Sequence, residues 1–157
     1  MLFRGLIMFV FLFRFLNLSS QCDETLRLDS LRNSYHTISD KQSLTDFLQK
    51  YQSDTCFVNK VYIASATMMK AQYTFLPNKK WSHFIKGKKI IENTIASHPE
   101  NLELRYIRYL IQSNIPSFLG YKSNIDEDLE YISSHLEDSI YNQDFKNLIL
   151  ANTIKNK

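Results

Sequence analysis

Three glycines and three prolines in 157 residues leave this chain few places to reverse sharply. Sandwiches and barrels need tight turns at short intervals, and those turns draw on glycine and proline. So few of either predicts helices joined by short connections. Hydrophobic residues make up 44% of the chain and aromatic ones 13%, well above what a disordered segment carries, so the helices have material for a core. At this length one domain is expected.

The first 20 residues, MLFRGLIMFVFLFRFLNLSS, place Arg4 ahead of an apolar run from Leu6 to Phe13 and close on the small polar residues Asn17, Ser19 and Ser20. That order is the layout of a secretory signal. The competing reading is an uncleaved anchor, but Arg14 interrupts the run well short of the roughly 20 apolar residues a spanning helix needs. Residues 1–20 are therefore expected to be a signal peptide and residues 21–157 a single helical domain, periplasmic or extracellular after cleavage near Ser20. Cys22 follows the leader, yet Gln21 before it is bulkier than lipidation prefers. In an oxidising compartment Cys22 and Cys56 can close a disulfide, and two unpaired thiols are the alternative.

Without Arg4 and Arg14, 17 basic residues face 16 acidic ones, a net of +1. Such a balance points to no global electrostatic partner, and no nucleic acid is expected.

Apolar periodicity predicts seven helices in antiparallel pairs. Leu28, Leu31, Tyr35 and Ile38 form the stripe of the first, over Thr25 to Ile38, with Arg27, Asp29 and Arg32 outside it. Ser39 or Asp40 caps the second, which carries Leu44, Phe47, Leu48 and Tyr51. Asp54 or Thr55 caps a third, whose stripe runs from Val58 through Val61, Tyr62, Ser65, Met68 and Met69 to Tyr73 and stops at Phe75 to Pro77. After a loop from Pro77 to Lys80, Trp81, Phe84, Ile85, Ile91 and Ile95 mark the fourth, ending near His98. Gly87 lies inside it and is expected to admit a neighbouring helix. Pro99 and Glu100 suit the first turn of the fifth, which buries Leu104, Ile107, Leu110 and Ile111 and breaks at Asn114 to Pro116. Asn124 and Glu127 read as a capping box for the sixth, with Ile125, Leu129, Ile132 and Leu136 inward. The seventh, about Ser139 to Thr153, uses Tyr141, Phe145, Leu148 and Ile149.

Catalytic signatures are missing from the sequence. His36, His83, His98 and His135 fall on different helices without H-E-x-x-H spacing or a cysteine pair, so no metal is expected. Gly87-Lys88 lacks the earlier glycine of a P-loop, no serine sits in a G-x-S-x-G elbow, and Asp126 and Glu130 have a capping role facing water. No cofactor and no catalytic residue are assigned, and an enzyme is the less favoured reading.

Two groups stand above that background. Lys79, Lys80, Lys86, Lys88 and Lys89, with Lys70, form an acid-free run around Trp81 and Phe84 that suits phosphates or a lipid surface; the plainer reading is a solvated face complementing Asp126 to Glu130. Membrane contact is expected only through this run or an uncleaved leader. Arg105, Arg108 and Gln112 share one side of the fifth helix, where two guanidiniums can grip a carboxylate or phosphate. Internal pairing with Glu103, Asp126 or Glu130 explains the same residues.

Gly87, Ile91, Thr94 and Pro99, followed by Asn101 and Leu102, resemble the second helix of a tetratricopeptide repeat. No second copy appears at a 34-residue period, so the resemblance implies a tetratricopeptide-like or irregular helical bundle rather than a regular array. More widely, KGKKIIE (residues 86–92), PENLELRYIR (99–108), IQSNIPSFLGY (111–121) and NIDED (124–128) are similar to an uncharacterised family of small exported Bacteroidota proteins. That likeness implies export and helices and supplies no site residues. The function expected is an envelope module that binds a protein or peptide in a groove between helix pairs. The alternative is an enzyme or binding protein that holds an anionic envelope ligand through Arg105 and Arg108.

Overall fold

The computed structural model describes residues 25–154, so the leader, its cleavage site and Cys22 lie outside the described residues. The helices are α1 (Thr25–His36), α2 (Lys41–Tyr51), α3 (Phe57–Met69), α4 (Pro77–Ser97), α5 (Leu102–Asn114), α6 (Ile125–His135) and α7 (Gln143–Ile154). Short 3-10 turns cover Lys70–Tyr73 and Ser117–Leu119, and there is no strand among the described residues. The fold is all-α, as the periodicity predicts. No described helix is long and apolar enough to cross a membrane.

Cross-helix contacts fix the directions. Arg27 pairs with Asp54, the Tyr51 hydroxyl lies 3.0 Å from Ser30 Oγ, and Tyr35 meets Phe47, so α1 and α2 run antiparallel. Phe57 at the start of α3 stacks on His98 just after α4, with ring centroids 4.0 Å apart, while Met68 near the other end meets Gly87. Those contacts make α3 and α4 a second antiparallel pair. Tyr131 of α6 reaches Glu100 while Asn124 reaches Gln112, which makes α5 and α6 the third. α7 returns along α5, where Asn152 Nδ2 donates to the Tyr106 hydroxyl at 2.9 Å.

The core follows from these pairings. Tyr62, Leu104, Tyr106, Ile107, Tyr109 and Ile91 are fully buried, and hiding a large apolar side chain contributes about 1.5–3 kcal/mol. Gly87 has the role its position suggests. A Cβ there would stand 2.2 Å from Met68 Cγ and 2.7 Å from the Ala64 carbonyl oxygen, closer than atoms tolerate, so only a residue without a side chain lets α3 lie against α4.

Several boundaries depart from the sequence reading. Asp40 does cap α2, accepting from Ser43 N at 2.8 Å while its own amide donates to Ser43 Oγ. α3 begins later than expected, because Asp54 Oδ1 accepts from the Cys56 amide and fixes the turn before the helix. α3 also stops at Met69, and Tyr73 ends up exposed in a 3-10 turn. Pro77 opens α4 instead of breaking a loop away from it: proline at the first helical position has a suitable φ and no amide to leave unpaired. Asn101, not Pro99 or Glu100, starts α5, accepting from Leu104 N at 3.1 Å. Asn124 forms no capping box. Its oxygen accepts from Gln112 and Ser123, and its amide donates to Glu127 Oε2. α7 starts at Gln143 rather than Ser139, after Asn142 Oδ1 takes the Phe145 amide.

Candidate functional site

The arginines on α5 turn toward neighbouring helices. Arg108 is buried and makes a two-pronged bond to Asp128, Nε to Oδ2 and Nη2 to Oδ1, both at 2.7 Å. Its remaining arm donates to Glu92 Oε2 of α4 at 3.1 Å, and Tyr121 donates its hydroxyl to the other oxygen of Glu92. Arg105 Nη1 reaches Glu127 at 2.9 Å and Asp128 at 3.2 Å, its Nε donates to the Pro99 carbonyl, and its plane lies over Tyr131. Gln112 is buried, bonded to the backbone and side chain of Asn124. The three residues are thus brought together and joined to α4 and α6, but by Glu92, Glu127 and Asp128 instead of Glu103, Asp126 and Glu130. Burial pushes the Asp128 carboxyl up while Arg108 and Arg105 pull it back. Burial alone would weaken Arg108's hold on its proton, but the bond to Asp128 and its charge raise it.

A second buried ion pair was not legible as such. Arg32 of α1 lies inside the fold and grips Glu103 of α5, Nε to Oε1 at 2.8 Å and Nη2 to Oε2 at 2.7 Å. Tyr62 of α3 donates to Glu103 Oε1 at 2.8 Å, and the guanidinium lies 4.3 Å from the centre of the Phe145 ring of α7. Glu103 therefore belongs to this cluster, and Arg32 is not outside the α1 stripe. The signal was present: Arg32 stands four residues after Leu28 and three before Tyr35, on the same helical face.

The lysine run occupies α4 and the turn before it. Lys70, Lys79, Lys80, Lys86 and Lys89 are exposed, and Lys88 is half-buried with its ammonium 4.7 Å from the centre of the Tyr121 ring. No lysine of the run forms an ion pair among the described residues, and Glu127 and Asp128 of the acidic run pair with Arg105 and Arg108. Trp81 and Ile85, expected in the core, are 54% and 41% exposed. The buried face of α4 is Phe84, Gly87, Ile91 and Ile95.

Between the far ends of α3 and α4 and the end of α5 lies a groove of about 680 Å³. Met68, Met69, Trp81 and Phe84 form one wall, and Leu110, Ile115, Phe118 and Leu119 the other. Its size matches a pocket that receives a side-chain cluster or a drug-sized ligand. Methionines suit such a surface because their flexible side chains adapt to different shapes. No family model, curated protein or solved structure matches this chain. The groove and the charged clusters therefore rest on their own geometry. Cys56, half-buried before α3, is not a free thiol, while its expected partner Cys22 lies outside the described residues. No group of three or more metal-ligating side chains occurs among the described residues.

His36 also lines the groove, wedged against Tyr35 and Tyr106, and its Nε2 is buried without a hydrogen-bond partner. Burial lowers its pKa from 6.5 to about 4. A histidine that resists protonation when folded favours the native state above pH 6.5, and that advantage is lost as the pH falls through 6.5 toward 4. Urea titrations are expected to show stability declining by on the order of 3 kcal/mol across that window. His36→Phe, which cannot titrate, should flatten the decline. An equal slope in both proteins would assign the acid limb to other groups.

Proposed function

We propose that this chain is an exported helical module of the cell envelope that binds a protein or peptide partner by taking an apolar segment of it into the groove between α3–α4 and the end of α5. The observation that carries this reading is the groove itself. Its walls are apolar, and Phe118 at its edge is 85% exposed. Helix pairs that lean apart at one end leave concave surfaces of this kind, and partners insert aromatic or aliphatic anchors into them. The tetratricopeptide-like order of Gly87, Ile91, Thr94 and Pro99 and the signal-like leader support the same reading.

The test is a photoreactive phenylalanine analogue at position 118, compared with the same analogue at Ile140, an exposed position that does not line the groove. Crosslinking in intact cells is expected to give a discrete adduct from position 118 and none of the same mass from position 140. Matching patterns from the two positions would remove the groove from the account. The alternative, an anionic ligand held by Arg105 and Arg108, has less support, because Arg108 gives all three of its nitrogens to carboxylates of this chain and Arg105 gives Nε to a carbonyl and Nη1 to two carboxylates.

A further inference from the structure

The corner where the Lys70–Tyr73 turn meets α4 combines two features that soluble surfaces seldom place together. Phe75 is 97% exposed, Leu76 51%, and Trp81 stands one helical turn further on. Around them, residues 70–89 hold six lysines and no acidic residue. Lys70, Lys79 and Lys86 share one neighbourhood around His83, which takes up a proton less readily through partial burial and through their charges. Water gains nothing from a bare phenylalanine, and unpaired ammonium groups crowded on one corner repel each other. Both costs vanish against one kind of partner: an interface with an apolar interior and an anionic skin. Aromatic and leucine side chains enter the boundary of a bilayer, and lysine heads stay with the phosphates.

We propose that this corner, with Phe75, Leu76 and Trp81 inserted and Lys79, Lys80 and Lys86 on the headgroups, docks the protein on an anionic lipid membrane. The inference does not depend on the groove having a peptide occupant. Trp81 and Lys80 also form part of the groove wall, so docking sets the groove opening beside the bilayer, within reach of segments that emerge from it.

Trp81 is the single tryptophan of the chain, which makes its emission a report from this corner alone. The full chain is mixed with vesicles of phosphatidylcholine alone or with one-fifth phosphatidylglycerol, and the parent and every variant carry the same residues 1–20, so that a difference between them on one vesicle type does not come from the leader. With the anionic vesicles, Trp81 emission is expected to shift to shorter wavelength and lose access to a soluble quencher, and cosedimentation should weaken as salt rises. Lys79→Glu with Lys80→Glu is expected to cut partitioning onto these vesicles by about tenfold or more, and Phe75→Ser should weaken it without altering the salt dependence. All three positions are exposed, and unchanged circular dichroism will verify folding. Lys60→Glu, an exposed change on α3, is the charge control. Equal binding to both vesicle types with unmoved Trp81 emission would assign any binding to the leader and overturn the proposal. So would charge-reversed protein that binds as well as the parent, or a loss as large in Lys60→Glu. A crosslinked protein partner at residues 75–81 with no lipid response would give the corner to a protein interface instead.

Discussion

Replacing Glu103 by alanine is expected to destabilise the protein by about 3–5 kcal/mol, measured as the change in unfolding free energy from urea titration. Glu103 is 2% exposed and accepts both prongs of Arg32 as well as the Tyr62 hydroxyl. Removing it leaves a guanidinium in the interior with only Asp29 to pair with, together with an orphaned phenol whose burial already raises its pKa well above the ordinary value. A domain of this size is worth about 5–15 kcal/mol in total, so one substitution removes a large share. The pair itself is a different quantity. Arg32→Met combined with Glu103→Leu fills the same volume without charge, and this double variant is expected to be more stable than either single change. Additive losses would show that the two residues act independently.

Asp128→Ala should be of similar size, about 3–5 kcal/mol, because Asp128 is wholly buried and answers Arg108 and Arg105 together. Its loss also tests what those arginines do. With the carboxylate gone, two guanidiniums face a space shaped for an oxyanion. Sulfate is expected to recover stability in Asp128→Ala beyond the general strengthening it gives the parent protein. An excess response already present in the parent would mean that the arginine face is open to ligands there too.

Sequence and structure agree where one physical rule dominates. Leu44, Phe47 and Tyr51, or Ile91 and Ile95, lie on the buried sides of α2 and α4 because apolar spacing decides helix orientation with little competition. Gly87 was legible because an interior glycine costs about 1 kcal/mol against alanine and needs a compensating contact. They differ where two rules compete. Pro77 can end one helix or begin another, and only the packing of α4 selects. Asn124 has Glu127 at capping-box spacing, but buried Gln112 offers its side chain a competing partner.

Charged residues in an apolar stripe are harder to read than either. Asp128 lies three residues after Ile125 and four before Ile132, and so points inward with them, yet its acidic neighbours Asp126 and Glu127 invite a solvent-facing reading. Whether an inward charge is tolerable depends on a partner far along the chain, and 71 residues separate Arg32 from Glu103. No local pattern records that distance. A groove between helix pairs was expected, but its lining was not legible, since it joins the end of α1 and Asn152 of α7 to the segments around the α3–α4 joint and the end of α5.

The two buried ion pairs attach to α5 about one and a half turns apart, at Glu103 and at Arg108 with its neighbour Arg105. Each grips a different neighbour, α1 on one side and α4 with α6 on the other. Sliding α5 along its axis by a single turn, about 5.4 Å, would strand four charges in the interior at once. Helix-on-helix ratcheting is therefore closed to this fold as a way of signalling. Any movement that accompanies recognition has to come from the segments beyond those clamps, the Ser117–Leu119 turn and the start of α4, whose side chains can rearrange while the spindle they surround stays in register.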